Sequence, residues 1–162
     1  MRVQYAIGAA TLLLAVNVLA APKVVEETFD ACDVYTAEDA AKALGTAANP
    51  EPINPKVKRP KIIPACTYTG NKDGKAVATS VQFRWGKTDE EAKKAFDEAR
   101  LQFQTKPLLI PGTQEAFWSG KTGQLHIRKG RTWVTMSVGA EKASERFVDD
   151  AKKLADIIAK KM

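Results

Sequence analysis

The sequence predicts an α+β domain built on a single antiparallel sheet of about five strands with flanking helices. Three short runs of alternating apolar and polar residues within 114–138 are separated by two tight turns that contain glycine, which is typical of a β-meander. A longer alternating run spans 76–85. Two segments with apolar residues at helical spacing, one before the meander and one after it, supply helices to cover the sheet. The predicted order of elements is α-β-β-α-β-β-β-α.

The composition is that of one folded domain. The chain has 162 residues, of which 44% are apolar and 27% are charged. Lys and Arg outnumber Asp and Glu by 25 to 19. The basic excess weakly favours anionic surroundings, but it is spread along the chain rather than concentrated in one helix, so a solvated surface is the stronger prediction. No nucleic-acid partner is predicted.

Residues 1–20 are predicted to be a signal peptide. A short positive start is followed by a mostly apolar run over 6–19 and by small residues up to Ala20. Cleavage after Ala20 is expected because a cut one residue later would leave Pro22 at the new N-terminus, and no Cys lies there to carry a lipid anchor. The mature domain, 21–162, is then periplasmic or secreted. A retained N-terminal anchor is the alternative, although the apolar run is short for a span of about 20 residues.

Cys32 and Cys66 are the two cysteines of the chain. An even count in an exported protein favours a disulfide between them, and two free thiols or a two-Cys metal site are the alternatives. His126 is the only His, so no cluster of soft ligands can form around a zinc ion. Neither a metal nor a cofactor is predicted.

The N-terminal half predicts one helix, one irregular loop and the first strand. The helix Ala37–Leu44 has Thr36 as its cap and Gly45 as its stop. Residues 46–64 are rich in proline and predict an extended loop. A strand at 66–69 follows, before the long alternating run.

The C-terminal half predicts two longer helices. Thr88 begins a capping box, and the helix after it runs to about Gln104. Its buried stripe comprises Ala92, Phe96, Ala99 and Phe103. The apolar tripeptide 108–110 is interpreted either as a plug in the core or as a contact surface. Ser144 is the predicted cap of the last helix, whose apolar stripe comprises Phe147, Val148, Ala151, Leu154, Ala155 and Ile158.

Strand alternation predicts one mixed face of the sheet. Phe117, Leu125 and Val134 are assigned to the core face, because they are apolar at the period that a strand requires. Their neighbours along each strand then lie on the other face. The residues predicted to line that face are Trp118, His126, Arg128, Trp133 and Arg84.

A face with aromatic rings, cations and a histidine resembles a binding surface. The alternatives are that another helix or loop covers it, or that the Trp side chains pair across strands. The sequence contains no phosphate-binding or dinucleotide motif, and His126 has no adjacent Ser or Cys nucleophile with a plausible orienting acid. Helix capping accounts for most acidic residues.

The chain is therefore predicted to be an exported, non-catalytic domain that binds a partner protein or small ligand of the cell envelope through a sheet face or its rim. A cell-envelope enzyme of unknown reaction and a structural envelope protein are the alternative hypotheses.

Four short motifs carry a resemblance: 32–45, which reads CDVYTAEDAAKALG, 66–68, which reads CTY, 111–118, which reads PGTQEAFW, and 125–130, which reads LHIRKG. Together they resemble a family of small exported bacterial proteins of unknown function, many of them actinobacterial lipoproteins. The resemblance implies a PsbP-like α/β sandwich and a disulfide between the two cysteines. This chain lacks the lipid-attachment motif of that family, and the family has no established active site, so no functional residue is carried over.

We predict that the mature protein begins at Ala21. The charge and hydropathy profile of 1–20 is the reason, because a signal peptidase cuts after small residues that follow an apolar run. N-terminal sequencing of the protein recovered from the envelope or the medium tests it. A protein that still begins at Met1 in that fraction would contradict the prediction.

Overall fold

The computed structural model describes residues 29–53 and 63–162. The predicted signal peptide and the middle of the Pro-rich loop lie outside these residues. The described part contains a single six-stranded antiparallel sheet and four α-helices. The predicted α+β class and the single antiparallel sheet are confirmed.

The strands and helices follow one another along the chain, with short connections between them. The strands are β1 (Ala65–Lys72), β2 (Lys75–Trp85), β3 (Pro107–Leu108), β4 (Glu115–Ser119), β5 (Gln124–Lys129) and β6 (Thr132–Gly139). The helices are α1 (Ala31–Val34), α2 (Ala37–Leu44), α3 (Asp89–Gln102) and α4 (Val148–Ala159), and a 3-10 turn, Ala143–Glu145, precedes α4. The spatial order of the strands is β1-β2-β6-β5-β4-β3.

Two short elements were not predicted. The helix α1 is a single turn, and β3 has two residues that pair with Phe117 and Ala116 at the edge of the sheet. The apolar tripeptide 108–110, which contains the end of β3, fits the core plug at one residue and the exposed contact surface at another. Ile110 is buried in the core, whereas Leu109 is 97% exposed. Elements this short have no periodicity, so the sequence could not indicate them.

Side-chain caps fix the starts of α2 and α3 as the sequence predicts. Thr36 Oγ1 accepts from the backbone N–H of Asp39, and the Asp39 carboxylate accepts from the backbone N–H of Thr36. Thr88 Oγ1 accepts from the backbone N–H of Glu91, which confirms Thr88 as the cap of α3. The Glu91 carboxylate accepts from the backbone N–H of Lys87 rather than from that of Thr88, so the predicted capping box is only half formed.

The predicted cap of α4 is wrong. Ser144 lies in the 3-10 turn, and the N-cap of α4 is Phe147, which makes no capping side-chain hydrogen bond. Phe147 is 68% exposed rather than part of the buried stripe. The turn at 143–145 uses the residues that a capping motif would need, and this shifts the start of the helix towards the C-terminus.

The main core lies between one face of the sheet and the helices α2 and α4. The predicted stripe of α4 is confirmed at Ala151, Leu154, Ala155 and Ile158, which are fully buried there. The sheet residues buried on this face include Val81, Phe83, Leu125, Ile127, Val134 and Met136. Fully burying side chains of this size contributes about 1.5–3 kcal/mol each, so this face provides most of the stability of the domain.

The predicted disulfide between Cys32 and Cys66 is confirmed, with Cα atoms 5.1 Å apart. It joins α1 to β1 across a sequence separation of 34 residues. A loop of this size gives about 3–4 kcal/mol of stabilisation in the chain-entropy treatment. None of the described helices is long and apolar enough to span a membrane.

A partly buried ion pair ties the C-terminal end of α4 to the start of α2. Lys161 Nζ donates to the Asp39 carboxylate and to the backbone oxygen of Val34, the latter at 2.9 Å. Burial by itself would raise the pKa of Asp39, but the hydrogen bonds from Lys161 and Thr36 outweigh it and lower the pKa below its ordinary value. The charged form of Asp39 is therefore the form that stabilises the fold.

We predict that Asp39→Asn lowers the free energy of unfolding by about 1–3 kcal/mol at pH 7, because it leaves Lys161 without its anion. A carboxyl with a lowered folded-state pKa stabilises the protein above its unfolded pKa, near 4, and loses that effect as the pH falls through the folded value. The difference from wild type should shrink below pH 4 in urea unfolding. Asp156→Asn, at an exposed position of α4, is the control. A difference that stays constant down to pH 3 would refute the assignment.

Candidate functional site

The face of the sheet opposite the main core, called here the α3 face, carries four of the five predicted site residues. Arg84 of β2 is paired with Trp133 of β6, and Trp133 is paired with Arg128 of β5. His126 of β5 is paired with Thr135 of β6. Because paired residues point to the same side of a sheet, this register confirms that Arg84, His126, Arg128 and Trp133 share one face.

The placement of Trp118 on this face is wrong. Trp118 is paired with Leu125 and packs against the main core, whereas Phe117 is paired with His126. The rings of Phe117 and His126 are stacked, with centroids 4.3 Å apart. Phe117 and Trp118 are neighbours on β4 and both have apolar surroundings. Alternation along the strand therefore could not decide which of the two side chains faces the main core.

Helix α3 covers the aromatic part of this face. The ring of Phe96 meets Phe117 at 4.9 Å and Trp133 at 5.7 Å, and Phe103 meets His126 at 5.7 Å. His126 is 3% exposed and Trp133 is 9% exposed. The prediction of an exposed aromatic surface is therefore wrong, and the alternative of a covering helix is confirmed. The physical reason is that the apolar stripe of α3 needs an apolar surface to pack against.

The sequence contained the signal for this cover. Ala92 and Phe96 are buried as the predicted stripe requires, and Ala99 and Phe103 pack against the same cluster. Matching that stripe to the aromatic residues of the meander would have indicated the contact. Phe96, Phe103 and Phe117 are the members of the cluster that sequence reasoning did not assign to the site.

Arg128 is a structural residue in this arrangement. Its side chain is 4% exposed and forms ion pairs with Asp89 and Glu115, and its guanidinium also donates to the backbone oxygen of Gly130 at 2.9 Å. Burial would raise the pKa of Glu115, but hydrogen bonds from Arg128 and Lys93 lower it below its ordinary value. Arg128 therefore holds the start of α3 against β4, with its charge fully neutralised.

His126 is held as a neutral ring with a defined tautomer. Trp133 Nε1 donates to its Nδ1 at 3.3 Å, and Thr135 Oγ1 lies 3.1 Å from the same atom. An indole nitrogen can only donate, so Nδ1 accepts and the proton of the neutral ring is on Nε2. Nε2 is buried, with no hydrogen-bond partner among the described residues. Burial, and then the nearby Arg84 charge, lower the pKa of His126 to about 3.

Arg84 lies at the margin of the covered region. Its guanidinium carbon is 4.7 Å from the centroid of the Trp133 ring, which places the cation over the face of the indole. Its Nε is buried and has no acceptor among the described residues. Four residues along β2 and β6 from the Arg84–Trp133 pair, the face carries small polar groups, including a hydrogen bond of 2.9 Å between the hydroxyls of Ser80 and Ser137.

No group of three or more His, Cys, Asp or Glu residues that could hold a metal exists within 29–53 and 63–162. A cleft of about 460 Å³ lies elsewhere, between Gly112 and the end of α4, and is lined by Lys129, Asp156 and Lys160. No protein-family model matches the chain, and comparisons with the curated proteins and the solved structures gave no match. The function is therefore argued from the geometry of the site.

We predict that the buried state of His126 makes stability fall as the pH falls from about 6.5 to about 3. The unfolded chain takes up a proton on this ring in that range and the folded protein does not, so each pH unit removes up to about 1.4 kcal/mol. His126→Gln, which leaves no imidazole in the chain, should flatten this part of the profile. Urea unfolding of both proteins between pH 7 and pH 4 measures the difference. Parallel profiles for wild type and variant would show that His126 does not titrate in this way.

Proposed function

We propose that this protein is an exported, non-catalytic domain that binds a small ligand or partner protein of the cell envelope at the rim of the α3 face. The observation that carries the proposal is Arg84, a cation fixed over Trp133 at the margin of α3 without an ion-pair partner among the described residues. An ordered charged side chain without an ion-pair partner in the protein is a candidate for ligand recognition. Its charge can pair with a group of opposite charge on the ligand.

Two observations support the exported location. Residues 1–20 have the profile of a signal peptide, and the disulfide belongs to a class of bond that persists in oxidising compartments. The resemblance to small exported bacterial proteins with a PsbP-like fold points in the same direction.

The state of His126 supports a role without catalysis. A general base works best with a pKa near the working pH, and burial holds the pKa of this imidazole at about 3. Its Nδ1 is already occupied by Trp133 and Thr135. The residues at the rim are suited to binding through charge and polar groups.

We predict that a photo-crosslinking residue at position 82 captures a partner in the cells that make this protein. Gln82 is two residues from Arg84 on the same strand, is half-buried, and lies on the same face of the sheet. The control is the same probe at Lys153, an exposed position of α4 beyond the opposite face. After illumination, the exported fraction should show an adduct for position 82 that is absent for position 153.

Two outcomes would contradict the proposal. Identical adducts at both positions would mean that position 82 has no selective partner. Recovery of the full-length chain inside the cell, with no exported form, would overturn the location.

A further inference from the structure

We propose that the outward end of Arg84, held over the Trp133 ring, is a binding site for a small oxyanion group, a carboxylate or a phosphate, on a ligand or partner. The inference rests on the proposed function and adds the chemistry that the rim recognises. The reasons are the fixed position of the guanidinium, its unused donors, and the ion pairs that already neutralise Arg128, the other arginine of this face.

Trp133 makes a rigid platform for this cation. Its Nε1 is fixed by the hydrogen bond to His126, and its ring packs against Phe96 beneath α3. The guanidinium of Arg84 lies 4.7 Å above the ring centroid. An arginine that is already ordered loses less side-chain entropy when it binds, and this reduces the free energy that a ligand must supply.

The other arginines of the described residues are already occupied. Arg128 pairs with two carboxylates and Arg100 pairs with Asp97. Arg131 donates to the backbone oxygen of Lys87, and Arg146 donates to those of Ala140 and Glu141. Arg84 alone among them has no protein acceptor in 29–53 and 63–162.

The unused N–H groups of Arg84 have a defined geometry. Nε is buried, so the terminal nitrogens are the ones that reach the solvent side of this half-buried residue. Two terminal N–H groups in one plane match two oxygens of a carboxylate or phosphate, which accepts them as parallel hydrogen bonds. Lys cannot reproduce this geometry, because its ammonium is a single point of charge.

The surroundings restrict the ligand to a small anion. Gln82 and Thr135, the neighbours of Arg84 and Trp133 along their strands, are uncharged, and His126 is neutral because burial lowers its pKa to about 3. Arg128, which is paired with Trp133 on its other side, is neutralised by Asp89 and Glu115. A single unpaired cation such as Arg84 favours one oxyanion group. It does not provide the series of cations that binds the repeated phosphates of a nucleic acid.

The test uses the mature chain and NMR of side-chain N–H groups. Sodium acetate and inorganic phosphate are titrated at constant ionic strength against sodium chloride, while the Arg84 Nε–H signal is followed. We expect a saturable shift with acetate, phosphate or both, and none with chloride. The stronger of the two indicates whether a carboxylate or a phosphate is the natural group. The indole N–H signal of Trp133, which depends on the His126 contact, reports that each variant is folded.

Three variants sharpen the result. Arg84→Gln should abolish the saturable response of the neighbouring Trp133 signal, and Arg84→Lys should weaken the binding about tenfold because the planar fork is lost. Arg131→Gln, which removes an arginine that donates to a backbone oxygen, should bind as wild type does.

A shift that is equal in chloride, or a saturable shift that survives Arg84→Gln, would overturn the oxyanion site. The failure of the site and the failure of the broader function can be told apart. A crosslinked partner at position 82 whose capture is unaffected by Arg84→Gln would leave the binding function standing and remove Arg84 from it. Saturable oxyanion binding by a protein that is not exported would keep the site and remove the envelope role.

Discussion

The hydrogen bond from Trp133 Nε1 to His126 Nδ1 determines the geometry of the α3 face. It places the proton of the neutral imidazole on Nε2 and orients the ring so that it stacks on Phe117. It also holds the indole edge-on to Phe96, which fixes the cover provided by α3. The outer face of the same indole is then available to a cation. One contact between two strands thus links the protonation of a histidine, the packing of a helix and the position of Arg84.

Arg84 and Arg128 show how burial decides what an arginine needs. Arg128 is almost fully buried, and a buried guanidinium requires anionic partners, which Asp89 and Glu115 provide. Arg84 is half-buried, so water can solvate its end while its stem and guanidinium plane cover the indole. Arg128 holds the start of α3 against the sheet. Arg84 lies at the opposite margin of the α3 face, where no carboxylate of the described residues neutralises its charge. Their different chemistry follows from their distance from solvent rather than from their place in the sequence.

Local patterns in the sequence were sufficient for most of the fold. Capping at Thr36 and Thr88, the alternation of β2, β5 and β6, and the pairing of the two cysteines all depend on neighbours or on simple counting. The errors occurred where a residue depends on distant segments. Phe117 and Trp118 are both apolar on a strand buried on both faces, so only pairing with β5 decides their sides. The partners of Arg128 come from 39 and 13 positions away, which no local pattern encodes.

The location of the proposed site follows from the dimensions of the two elements that form it. A helix with its side chains is about 10 Å wide, and neighbouring strands are about 4.8 Å apart, so α3 can cover two or three strands of the sheet. It packs on the aromatic cluster carried by β4, β5 and β6, and further along β2 and β6 the face changes to small polar residues such as the paired Ser80 and Ser137. The boundary falls between β6 and β2, where Trp133 is paired with Arg84. At that boundary the indole of Trp133 packs against the apolar cluster, and the guanidinium of Arg84 provides a polar group on the other side. The pair therefore suits both environments. Packing alone accounts for the position of the cation, whereas its unpaired donors are the feature that a ligand would use.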